Sequence, residues 1–159
     1  MSFRIGNGYD VHQLADGLTL TLGGVNIPFE KGCVAHSDGD VLIHALCDAM
    51  LGALALGDIG HHFPDTDPAF KGIDSRILLR RVNALIEERG YRIVNVDCTL
   101  LLQRPKVAPY IESMRNTLAQ DLQTDVSNVS VKATTTEHLG FTGRGEGVAA
   151  YATALVSKI

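Results

Sequence analysis

The sequence predicts a single α/β domain with a mixed sheet and about three main helices. Three observations carry this expectation. Residues 91–134 read strand–helix–strand, and such a unit favours parallel pairing through a right-handed crossover. Two further apolar stretches, at 41–56 and 75–89, have the length and spacing of helices. Gly23-Gly24 between two short alternating runs signals an antiparallel hairpin. The chain has 159 residues, 45% of them hydrophobic and 20% charged, which fits one soluble globular domain with a substantial core.

Taken in order, Phe3 to His12 reads as a strand that runs into a loop. Leu18 to Leu22 and Val25 to Phe29 form the hairpin arms. Ser37 or Asp38 is positioned to cap a helix that starts near Gly39 or Asp40 and stops near Gly57. Asp58 to Gly72 reads as a long loop, and loops of that length in compact domains commonly bind ligands. A second helix starts at Asp74 or Ser75, places Ile77, Leu78, Val82, Leu85 and Ile86 on one face, and ends at Gly90. Tyr91 to Leu102 alternates as a strand, with Val94, Val96, Cys98, Leu100 and Leu102 on one side. A third helix covers Pro109 to Leu122, with proline in its first turn. Val129 to Thr134 and Val148 to Val156 are the last strands, separated by a glycine-rich loop at 140–147.

The net charge of −4 gives no reason to expect a nucleic-acid partner. Cys33, Cys47 and Cys98 are an odd, dispersed set with no CxxC pair, which argues for free thiols in a reducing compartment. The apolar helix contains His44 and Asp48 and is too short and polar to cross a bilayer, and the first residues have no signal-peptide core. These readings predict a cytoplasmic protein without membrane contact.

The chemistry concentrates first at Asp10-Val-His12. Residues two apart on an extended segment project to one side, so both side chains can converge on one ion. His36 and His44 lie at the start of the apolar helix, where Asp40, His44 and Asp48 share a face. One carboxylate and two or three imidazoles suit zinc or non-haem iron and leave a coordination position open. On spacing alone, a hydrogen-bonded core histidine explains His44 equally well. Asp58, Asp65 and Asp67 suit substrate hydroxyls or hydrated Mg²⁺, but a solvated turn explains the last two as simply. Asp58 directly after a helix end is poorly placed beside the negative pole, which favours a functional role. His61-His62 are adjacent and poorly arranged to share one ion. Lys132-Ala-Thr-Thr-Thr-Glu137 ends a strand with hydroxyls and an acid suited to phosphate and Mg²⁺. Arg144 suits an anion, or else pairs with Glu146.

Several motifs together, in one order and spacing over essentially the whole chain, resemble the 2-C-methyl-D-erythritol 2,4-cyclodiphosphate synthases. They are Gly8-Tyr9-Asp10-Val11-His12, Ala35-His36-Ser37-Asp38-Gly39-Asp40 with His44, Gly57-Asp58-Ile59-Gly60, and Phe63-Pro64-Asp65-Thr66-Asp67. Lys132 to Glu137 and Gly140 to Gly145 complete the set. The resemblance implies a two-layer sandwich assembled as a homotrimer around a central channel, with active sites at subunit interfaces. It implies cyclisation of a CDP-linked methylerythritol 2-phosphate with release of CMP, in the non-mevalonate isoprenoid pathway.

By position, the resemblance implies zinc on Asp10, His12 and His44, and a second cation, Mg²⁺ or Mn²⁺, on Glu137. His36 and Thr135 match residues that stabilise the transition state, and Asp58 matches one that grips the erythritol hydroxyls. Ser37, Gly60, Phe63, Asp65 and Asp67 match substrate contacts. So do Lys106, Ala108, Ala133, Thr134 and Thr136, around a cytidine pocket supplied by a neighbouring subunit. Phe141 and Arg144 match residues of the channel, where some members hold an isoprenoid diphosphate. The chain departs from the pattern at Asn7, where some members have histidine, and at His138, where many have lysine.

Overall fold

The computed structural model describes residues 2–159. Seven strands and five helices follow one another as β1 (Phe3–Asp16), β2 (Leu20–Leu22), β3 (Val25–Ile27), β4 (Lys31–Cys33), α1 (Val41–Ala53), α2 (Ile59–His62), α3 (Ser75–Glu88), β5 (Tyr91–Leu101), α4 (Ile111–Leu122), β6 (Val129–Thr134), α5 (Gly140–Gly143) and β7 (Gly147–Lys158). The main sheet is mixed, in the order β4-β1-β7-β5-β6. Only β5 and β6 run parallel, joined by the α4 crossover that the 91–134 pattern predicts. β2 and β3 form the Gly23-Gly24 hairpin as a separate two-stranded unit.

The helices cover one face of the sheet. α1 lies on β1 and β7, α4 packs on β6, and α3 bridges α1 and α4. Nearly every residue of α1 is buried, as expected for a helix that is apolar all round. Its closeness to the sheet is set by Gly6 and Gly8 of β1. A Cβ on either would lie 1.9 Å from a carbonyl oxygen of α1, Ala49 and Ala45 respectively. Only glycine allows the helix to rest directly on the strand.

The opposite face of the sheet is open and apolar. Phe3, Ile5, Tyr9 and Val11 project from β1 and Tyr151 from β7, all exposed. Tyr9 and Tyr151 pair across the two strands with ring centroids 4.6 Å apart.

Two local readings are corrected. Asp40 does not share a pocket-facing stripe with His44 and Asp48. It is fully buried and caps α1, accepting from the Ile43 N–H. It also accepts from Gly23 and Gly24, so one carboxylate fixes both the helix start and the hairpin turn. Burial pushes its carboxyl up to about 6 against the opposing pull of these N–H groups. Asp58 does not sit on the negative pole of α1, which ends at Ala53. It is the N-cap of α2, a favourable place for a carboxylate.

Candidate metal centre and active site

β1 carries Asp10 and His12 on its helix-facing side, in phase with Gly6 and Gly8. The contact of Gly8 with Ala45 puts His44, the preceding residue of α1, above that pair. The donor atoms converge. His12 Nε2 is 3.0 Å from His44 Nδ1, and Asp10 Oδ2 is 3.1 Å from the first and 3.2 Å from the second. A tetrahedral ion with bonds of about 2.0 Å requires donors roughly 3.3 Å apart, so the triangle fits a zinc-like ion. This is the one cluster of three metal-binding side chains among the described residues. His61 and His62 are not part of it. His62 Nε2 donates to the Leu56 carbonyl instead.

The electrostatics suit a cation. Burial by itself would raise the Asp10 carboxyl, but hydrogen bonds and positive charge from His12 and His44 prevail and hold it well below the usual carboxylate range. Burial would lower His44, yet the Asp10 hydrogen bond and charge raise it.

The cluster opens into a cavity of about 440 Å³. Asp10, His12, His36, Ser37, His44, Gly60, Phe63 and Asp65 line it, so most of the predicted first half of the site is brought together. Phe63 and Phe70 meet edge-to-face at 5.6 Å and form part of its apolar wall. His36 Nε2 donates to the Asp67 carbonyl at 3.0 Å, and the Asp67 carboxylate caps a one-turn 3₁₀ segment, Pro68–Phe70. The segment read as a plain loop thus contains α2 and a 3₁₀ turn. Asp48 lines the cavity too, with its carboxyl raised by burial against the Ile59 N–H.

The second half lies elsewhere on the same chain. Lys106, Ala108, Ala133, Thr134 and Thr135 surround a separate cavity of about 230 Å³ at the ends of β5 and β6. Thr136 bonds the Leu139 carbonyl and the Thr142 hydroxyl. Glu137 and His138 both adopt left-handed backbone, with φ of 54° and 62°. Consecutive non-glycine residues in that region are uncommon and cluster at functional sites. The Glu137 carboxylate is exposed and has no hydrogen-bond or ion-pair partner among the described residues. Arg144 pairs with Glu146 at 3.0 Å, while lining a third cavity with His138 and Lys31. Phe141 is exposed above Gly147.

Sequence reasoning missed two residues of this centre. Ser75, fully buried at the start of α3, lies 2.9 Å from His44 Nε2, and Asp38 holds Ser75 in turn. They are 31 and 37 positions from their partners, and no local pattern marks such a contact.

A model of the YgbB family matches residues 3–157. The chain belongs to the YgbB family. A relative from Azotobacter vinelandii, a 2-C-methyl-D-erythritol 2,4-cyclodiphosphate synthase, is 66% identical over 96% of this chain and 98% of its own length. Among solved structures, the bifunctional IspDF of Campylobacter jejuni superposes with a TM-score of 0.96 at 42% identity. That likeness covers 99% of this chain and 43% of the longer Campylobacter protein. The Plasmodium falciparum IspF complex with CDP superposes with a TM-score of 0.86 at 36% identity, covering 99% of this chain and 97% of that one. The predicted α/β fold with a mixed sheet and the predicted family both hold.

Proposed function

We propose that this YgbB-family chain cyclises 4-diphosphocytidyl-2-C-methyl-D-erythritol 2-phosphate to 2-C-methyl-D-erythritol 2,4-cyclodiphosphate and releases CMP, as a step of isoprenoid biosynthesis by the non-mevalonate route. It is a phosphorus–oxygen lyase of the cytoplasm. The observation that carries the reading is the Asp10–His12–His44 donor triangle in a cavity also lined by Ser37, Gly60, Phe63 and Asp65, four of the residues matched to substrate contacts.

The nucleophile is an oxygen of the substrate's own 2-phosphate. It attacks the β-phosphorus, and the bond from that phosphorus to the bridging oxygen of CMP breaks. The protein therefore has to bring two anionic groups together rather than supply a nucleophile. Zn²⁺ on Asp10, His12 and His44 and Mg²⁺ or Mn²⁺ on Glu137 would supply the positive charge that this approach requires. Asp58 grips the diol end, with Gly60, Phe63, Asp65 and Asp67 closing the erythritol pocket. His36, anchored by the Asp67 carbonyl, and Thr135 stabilise the transferring phosphoryl group, with Ser37, Thr134 and Thr136 beside it. Lys106, Ala108 and Ala133 hold the cytidine, and the CDP complex of the Plasmodium relative supports a CDP-linked ligand. Folding the substrate for in-line attack contributes up to about 7–11 kcal/mol.

The reading includes a homotrimer. The metal half and the cytidine half line separate cavities of one chain, and in this reading the cytidine half of a neighbour completes each site. The exposed apolar sheet face, with Phe3, Ile5, Tyr9, Val11 and Tyr151, is the kind of surface that subunit contact covers. Phe141 and Arg144 then line the central channel, where the resemblance suggests an isoprenoid diphosphate as ligand.

The test is to incubate purified protein with the CDP-linked substrate, with and without chelator. CMP and cyclic diphosphate are expected in equal amounts, and chelation abolishes both. Inorganic phosphate as the product would replace the cyclase reading with a phosphohydrolase.

A further inference from the structure

His44 presents Nδ1 to the donor triangle and turns Nε2 away from it, into the protein. Two hydroxyls meet Nε2: Ser75 Oγ at 2.9 Å and Ser37 Oγ at 3.1 Å. The Ser75 hydroxyl also reaches Asp38 Oδ1 at 2.5 Å, while its backbone N–H donates to Asp38 Oδ2 at 3.0 Å. The Asp40 N–H adds a third donor to the same carboxylate. A serine hydroxyl has one proton and two lone pairs, and a carboxylate only accepts. The Ser75 proton therefore goes to Asp38, and Ser75 Oγ faces His44 as an acceptor. Nε2 must then carry a proton, and Nδ1 keeps its lone pair for an ion shared with Asp10 Oδ2 and His12 Nε2, which lie 3.2 and 3.0 Å away.

We propose that Ser75 and Asp38 are positioning residues for His44. They form a carboxylate–hydroxyl–imidazole relay that fixes the Nε2–H tautomer and so presents the Nδ1 lone pair to the ion. The proposal rests on the reading of Asp10, His12 and His44 as metal ligands. The relay also fixes the ring in space. Ser75 is fully buried, and α3 packs against α1 behind it. Asp74 holds the first turn of α3 by capping at the Arg76 N–H, and Arg76 in turn clamps Asp121 of α4 at 2.8 Å. The orientation of a ligand on α1 is thus set by the start of a different helix. Partners of this kind normally strengthen metal binding by roughly 10–100-fold.

Zinc affinity is measured by competition with a chromophoric chelator on the full-length parent, Ser75→Ala and Asp38→Asn. Ser75→Ala removes the acceptor and is expected to weaken zinc binding by roughly 10–100-fold. Asp38→Asn preserves shape but replaces the charged acceptor of the Ser75 proton with a neutral amide oxygen, which holds that proton less strongly. This isosteric change is therefore expected to weaken binding as well, by less than Ser75→Ala. Affinities within twofold of the parent for both variants overturn the relay and leave the metal ligands standing. A parent that binds no zinc overturns the ligand assignment itself. Should the variants fail to fold, ¹⁵N NMR of the zinc-free parent, at a pH where the His44 ring is neutral, decides the matter. A protonated His44 Nε2 is expected, and an unprotonated Nε2 refutes the relay.

Discussion

Gly8→Ala tests whether the metal centre depends on the contact between α1 and β1. A methyl group on Gly8 would lie 1.9 Å from the Ala45 carbonyl oxygen and 2.9 Å from the Ala49 nitrogen, where ordinary contact begins at 3.4 Å. The obstacle is helix backbone, which cannot rotate aside as a side chain would. α1 therefore has to withdraw by about 1.5 Å to reach that limit. Forced overpacking of a core costs about 1–3 kcal/mol. For a domain of this size that lowers the melting temperature by roughly 2–12 °C. The effect on metal binding is sharper. His44 adjoins Ala45 and moves with it, whereas metal–donor distances tolerate only about 0.2 Å. The expected outcome is a folded but less stable protein with zinc affinity reduced by at least tenfold. Circular-dichroism melts in chelator and zinc competition with a chromophoric chelator measure the two effects separately. Gly52→Ala is the control. The nearest atom to its Cβ would be Asn7 O at 3.9 Å, and alanine in a helix is favoured over glycine by about 0.5–1 kcal/mol. An unchanged melting temperature and zinc affinity in Gly8→Ala would refute the reasoning.

Four further outcomes follow from named contacts. His44→Ala should lose zinc and nearly all turnover while the assembly persists on sizing; full turnover in the zinc-free variant contradicts the ligand role. Asp58→Ala should raise KM and depress turnover with the CDP-linked substrate, and unchanged kinetics would remove it from the diol pocket. Asp40→Ala strands three backbone N–H groups, of Gly23, Gly24 and Ile43, and should cost about 3–5 kcal/mol by urea denaturation. A midpoint matching the parent would show that these donors find other partners. Arg144→Ala should leave CMP release intact and weaken retention of an isoprenoid diphosphate, scored by mass spectrometry of the native assembly; equal occupancy would exclude the channel role.

The elements were legible wherever periodicity was strong. The 91–134 unit, the three long helices and the Gly23-Gly24 hairpin all follow from pattern. β4, with three residues, was not legible, because so short a run has no period to read. β1 extends to Asp16, four residues beyond the predicted strand end at His12, because its last residues pair with β4. Asp10 and His12 could be paired from the i, i+2 rule alone. Their union with His44 depends on two glycines whose meaning is a close approach rather than a turn, and glycine spacing does not reveal what approaches. Asp40 shows the converse. Its helical phase with His44 was correct, but a cap position redirects the side chain toward backbone N–H groups, and phase arguments do not hold at a helix start.

β1 also shows why this chain reads clearly at its centre and less so at its edges. A strand has a period of two, and here both phases are used. Gly6, Gly8, Asp10 and His12 face α1, and Phe3, Ile5, Tyr9 and Val11 face away. The inward set is explained within one chain, by helix contact and donor geometry. The outward set is not, since exposed aromatic and branched residues on a flat sheet face gain nothing from water. A one-residue slip of β1 against β7 would exchange the two sets. It would drive Tyr9 into the Ala45 carbonyl and turn Asp10 and His12 onto the open face. The register that brings Asp10 and His12 to His44 is therefore the same register that presents the open apolar face, and neither can change without the other.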